Sequence, residues 1–150
     1  MLEQPDITPI RNPGLLFGKP KYRLDRPWRF TVSWETEDEQ GDCTTYTIPA
    51  GYEFDGASVP RMFWGFPFGY TPDGVHRAAA LEHDFLCDLG MKNKEFTDWY
   101  AKRRKLPPPP LPPAVVHAHF ARRLRELGLR KGQVWTMGNA VKWFGPRWKV

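Results

Sequence analysis

His83 and Asp84 stand side by side in Leu81-Glu82-His83-Asp84-Phe85-Leu86, and their types suit chemistry most directly. Upstream, Phe54-Asp55-Gly56-Ala57-Ser58-Val59-Pro60-Arg61 offers a carboxylate and a hydroxyl on what reads as a loop at a strand end, where reactive groups are often displayed. Imidazole titrates near neutral pH, so His83 is a candidate general base. On a helix Asp84 points about 100° away from it and is badly placed to orient the same ring. Asp55 or Asp98 would hold His83, leaving Asp84 to bind a divalent cation such as calcium. Ser58, His83 and Asp55 form a nucleophilic alternative. Ser58 lacks a Gly-x-Ser-x-Gly elbow, however, and before Val59-Pro60 it also suits a turn or a helix cap.

Other constellations are weaker. His76, His83, Asp84 and Cys87 could share a metal, with His83 and Cys87 four residues apart. No His-Glu-x-x-His or paired Cys-x-x-Cys accompanies them, which disfavours zinc and leaves Asp84 and His83 as metal candidates. His117 and His119 are two apart and point in different directions on a helix. The structural alternative makes His83 and Asp84 part of a buried network, paired with Arg61 or Arg77, that seats a helix on a sheet. No cofactor motif is present.

These residues need elements to position them. Trp28 to Trp34 alternates, with Trp28, Phe30, Val32 and Trp34 on one face, and Thr44 to Ile48 is β-rich. Together they predict a hairpin across the polar stretch 35–42. Tyr22-Arg23-Leu24 reads as a short strand. Val75 to Leu89 carries helical spacing, with Gly90 as its C-terminal cap. Lys94 to Lys105 reads as a second helix. Six prolines in the seven residues from Pro107 to Pro113 predict a stiff spacer over 106–113. Pro113 then suits the first turn of a helix over Ala114 to Leu127, capped by Gly128. Residues 1–20, with four Pro and two Gly, read as an extended arm. The expected architecture is α+β. One domain over 21–150 packs a small antiparallel sheet from the N-terminal third against three to four helices.

A chain of 150 residues suits one domain with a real core. No apolar stretch is long enough for a membrane span, and the N-terminus shows no secretory signal. Cys43 and Cys87 give no disulfide framework. Charge is uneven. From Lys102 onward there are twelve Lys and Arg against one acid, Glu126, while residues 1–101 hold ten against sixteen acids. That asymmetry points to an anionic partner at a basic C-terminal region, or to a solvated helix face. Aromatic content of 15%, with seven Trp, exceeds what a small core needs and suits contact surfaces.

The Ile48-Pro49-Ala50-Gly51-Tyr52 step, the Phe54-to-Pro60 signature, and an Ala-rich helix bearing His83-Asp84-Phe85-Leu86 together resemble the phage and prophage family called domain of unknown function 1353. The ending Phe120-Ala121-Arg122-Arg123-Leu124, then Ala140-Val141-Lys142-Trp143-Phe144-Gly145 and Trp148, is similar to that family's, so the likeness spans Thr45 to Trp148. It implies a phage or prophage origin without an established activity. Two positions depart from the family pattern as the resemblance implies it: Cys87 stands where Tyr is common, and His117 where Asp is common. Asp98 competes with His117 for that role. The His-Asp step is also similar to that of secreted phospholipases, where the His activates water and the Asp binds calcium. The cysteines and calcium loop of those enzymes are absent here.

Three functions follow as expectations. The first is a bacteriophage structural or assembly protein, tail- or virion-associated, whose partners are other phage structural proteins. The second is a small phage hydrolase of the host envelope, lipid or cell wall, with His83 as general base. The third is a basic nucleic-acid-binding accessory protein. Localisation would be the virion or the host cytoplasm. Whether the chain is an enzyme stays open at this point.

Overall fold

The computed structural model describes residues 4–11, 21–34, 43–54, 77–92, 94–103, 108–144 and 148. Asp55, Ser58, Arg61 and His76 lie outside the described residues, and with them the expected meeting of Asp55 and His83.

The alternation at 28–34 becomes a hairpin. Strands β3 (Trp28–Ser33) and β4 (Cys43–Ile48) pair antiparallel in the register Trp28↔Ile48 through Ser33↔Cys43. Because successive strand side chains face opposite ways, Trp28, Phe30 and Val32 go inward with Tyr46 and Ile48, and Arg29 and Thr31 face out. Pro49 to Tyr52 then turns the chain, with Gly51 at φ +93°, a conformation that favours glycine. Beyond it, β5 (Glu53–Phe54) leaves this hairpin for a second sheet. There the order is β1 (Ile7–Arg11), β2 (Lys21–Leu24), β5, all antiparallel. The strand-rich third thus makes two small sheets, and part of the arm over 1–20 contributes an edge strand. The fold is α+β.

Helix α1 (Arg77–Met91) is the central element: twelve of its fifteen residues are buried, as expected of a helix covered on every side. Phe85 meets Phe30, Tyr46, Tyr52 and Phe96 edge-on at centroid distances of 5.6–6.4 Å. Helix α2 (Lys94–Ala101) buries Phe96 and Tyr100 and stops at Ala101, short of the expected Lys105. Helix α3 (Pro113–Glu126) begins with Pro at its first turn, as its fixed φ allows, and Gly128 follows at φ +93°. Helix α4 (Lys131–Phe144) packs against α3 and buries Val134, Met137 and Val141.

Two local expectations change. Gly90 does not cap α1: the helix continues to Met91, and Lys92 takes the left-handed conformation at φ 54°. Gly90 instead makes room, because a Cβ there would fall inside the ring of Trp148. The Pro-rich stretch is packed onto the domain where it is described. Leu111 is buried, its carbonyl accepts a 2.7 Å bond from Trp148 Nε1–H, and the Pro109 carbonyl accepts one from the Tyr46 hydroxyl. No helix among the described residues is long and apolar enough to cross a membrane.

Candidate functional site

Glu82, His83 and Asp84 are consecutive and buried on α1. At about 100° per residue they cannot share one direction. Each serves a different neighbourhood.

Glu82 turns toward β3 and α3. Its side chain is fully buried, and both oxygens are occupied. Trp28 Nε1–H donates to Oε2 at 2.9 Å and Arg123 Nη2–H to the same oxygen at 3.2 Å, while Arg123 Nε–H donates to Oε1 at 3.1 Å. A group accepting from a guanidinium and an indole is a carboxylate, so the fourth contact, His119 Nε2 to Oε1 at 2.7 Å, is a donation by the imidazole. His119 Nδ1 is buried with no hydrogen-bond partner among the described residues. Burial opposes the Arg123 charge, yet Glu82 and Glu126 outweigh it, and the guanidinium pKa moves up rather than down. Arg123 also holds Glu126 through Nη1 at 2.6 Å. Four charge-assisted bonds offset the cost of placing a carboxylate inside.

His83 turns toward α3 at a different point. Its Nε2 lies 3.2 Å from His117 Nδ1, and its ring lies against Phe120 at 4.7 Å. The Cys87 sulfur is 3.7–3.9 Å from the same imidazole. Burial first, then charge on His117 and His119, holds the His83 pKa well below the usual imidazole value. The ring is neutral at neutral pH, and it is shut away from solvent. His117 and His119, two apart, enter two separate clusters, as their angular separation requires.

Asp84 belongs to a third group. It lies close enough to Tyr52 and Cys87 for its charge to raise both, with Asp88 acting alongside. The Tyr52 hydroxyl donates to Asp88 Oδ2 at 2.6 Å. Burial, then these carboxylates, keeps the Cys87 thiol protonated, so it is no nucleophile.

Asp98 sits on an exposed face of α2, and its side chain makes no hydrogen bond or ion pair among the described residues. It does not hold His83, and the competing candidate, His117, does meet it. No group of three or more His, Cys, Asp or Glu able to hold a metal ion occurs among the described residues.

The residues missed from the sequence are Glu82, His119, Arg123 and Trp28. A signal was present. A glutamate amid Ala78-Ala79-Ala80-Leu81 and Phe85-Leu86 must be buried with partners, and His119 and Arg123, four apart on α3, present two donors on one face. Beside this cluster opens a pocket of about 300 Å³, bordered by Trp28 to Thr31 of β3, Glu82, and Arg122, Arg123 and Glu126 at the end of α3.

The profile of a family described as Protein of unknown function (DUF1353) matches residues 28–141, from the start of β3 into α4 and so further upstream than the Thr45 boundary read from the signatures. A curated relative, Uncharacterized protein y4jT of Sinorhizobium fredii (strain NBRC 101917 / NGR234), is 24% identical over 124 residues, 81% of this chain and 30% of that protein. The chain therefore spans under a third of the length of this relative. No solved structure matches this chain.

Proposed function

The chain belongs to the family described as Protein of unknown function (DUF1353), and from that premise we propose that it is a structural or assembly component of a phage or prophage particle, tail- or virion-associated. The polar residues of α1 act as its scaffolding. The observation that supports a structural role for these residues is the state of Glu82: fully buried, with both oxygens taken by four donors from β3 and α3. A catalytic carboxylate must keep a lone pair for substrate or for a base that reaches substrate. Glu82 instead joins three elements, and His83 beside it is sealed. The phage assignment is supported by the paired signatures around Phe54 and His83. Partners are other structural proteins of the particle, with an anionic partner at the basic C-terminal third.

Purified particles from an induced or infected host test this. Quantitative mass spectrometry is expected to find the chain at a fixed copy number per particle. Its presence only in the cytosol of infected cells would reject the reading.

One observation favours a second reading, a small phage hydrolase of the host envelope. His83 is held neutral, as a general base must be. Envelope-lysis assays on His83→Gln decide it: activity unchanged in a folded variant removes the hydrolase.

A further inference from the structure

The fold leaves positive charge unspent where β3 faces the end of α3. β3 belongs to a two-stranded sheet, so among the described residues one of its edges carries no strand. Trp28, Arg29, Phe30 and Thr31, four in a row, all border the 300 Å³ pocket, which puts the pocket against that open edge. Trp28 and Phe30 border the pocket from the inward side of the strand, and Arg29 brings a guanidinium from the outward side. Across the gap stand Arg122 and Arg123.

The three arginines are not equivalent. Arg123 is shared between Glu82 and Glu126. Arg29 and Arg122 make no hydrogen bond or ion pair among the described residues. Arg123 answers only one of the two carboxylate charges at the pocket, so three arginines against Glu82 and Glu126 leave a surplus of one positive charge, while the hydrogen bonds of both carboxylates go to groups other than Arg29 and Arg122. The carbonyl end of α3 also lies here and opposes an anion, but it amounts to about half a charge, less than the positive surplus of the lining. The volume matches the lower end of small-molecule pockets, and although one guanidinium fork suits a carboxylate or a phosphate alike, a phosphate has oxygens and charge enough to engage two guanidiniums at once.

We propose that this pocket binds a small phosphomonoester, with Arg29 and Arg122 gripping the phosphate oxygens and the Trp28–Phe30 wall taking a flat organic body. Calorimetric titration of the full chain with phenyl phosphate, inorganic phosphate and acetate tests it. Phenyl phosphate is expected to bind tightest and acetate weakest. Arg29→Gln and Arg122→Gln should each weaken phenyl phosphate by at least about tenfold, whereas Arg130→Gln, outside the pocket, should leave it unchanged. In 1H–15N spectra the Trp28 indole peak, assigned by its loss in Trp28→Phe, should move on addition of phenyl phosphate. Equal affinity for phenyl phosphate and inorganic phosphate removes the aromatic wall from the site. Acetate binding as well as phosphate removes the phosphate specificity. No binding at millimolar ligand, or binding indifferent to both arginine substitutions, overturns the proposal.

Discussion

Two neighbouring residues on α1 meet burial in opposite ways. Glu82 keeps its charge because Trp28, His119 and Arg123 supply four donors. His83 gives its charge up, because burial and the imidazoles of His117 and His119 disfavour the proton. One cluster is polar and saturated. The other sets a neutral His83 beside His117 and closes it with Phe120. A buried ionisable group stays charged only where the surrounding chain brings donors enough to replace water, and otherwise neutralises.

The contrast breaks most easily at Glu82. Glu82→Leu strands the Trp28 indole and leaves Arg123 with Glu126 alone, and should cost about 3 kcal/mol by urea denaturation. Trp28→Phe removes one donor and leaves the carboxylate with three contacts. Its expected cost is about 1.5–3 kcal/mol.

At His83 the lever is pH. The unfolded chain takes up a proton near the ordinary imidazole pKa of about 6.5, while the folded residue resists until well below it. Between those values unfolding consumes a proton, so stability is full above about pH 6.5 and falls as pH drops, by up to about 1.4 kcal/mol per pH unit. His83→Phe should flatten that part of the stability–pH curve in a denaturation series from about pH 7 to about pH 5. Asp98→Ala, which touches neither cluster, should stay within about 0.5 kcal/mol of the unsubstituted chain.

What was legible in the sequence follows from distance along the chain. The β3–β4 hairpin is local, and the alternation of Trp28, Phe30 and Val32 against the polar stretch before Cys43 predicted it together with its inward face. The Pro113 start and Gly128 end of α3 are also local chemistry. The partners of α1 are not. Glu82 and Arg123 are 41 residues apart, and His83 and His117 are 34 apart. Periodicity marked α1 as helical but could not say which face of α3 it would meet. Attention to the His83-Asp84 pair passed over Glu82, although a carboxylate inside so apolar a helix was the stronger sign of a network. Gly90 reads as a helix cap in sequence because Gly is common there. Its use against Trp148 depends on a ring brought back from 58 positions later in the chain.

Three polar heads on successive residues of one rod act as a key with three teeth cut at fixed angles. Deleting one residue between Ala80 and Glu82 would swing all three by roughly a third of a circle, sending a carboxylate toward the imidazole socket and an imidazole toward the arginine. The damage would be simultaneous and could not be repaired by any one compensating change. Length variation among relatives should therefore collect in the connecting segments and spare this stretch, a pattern that aligned sequences can check directly.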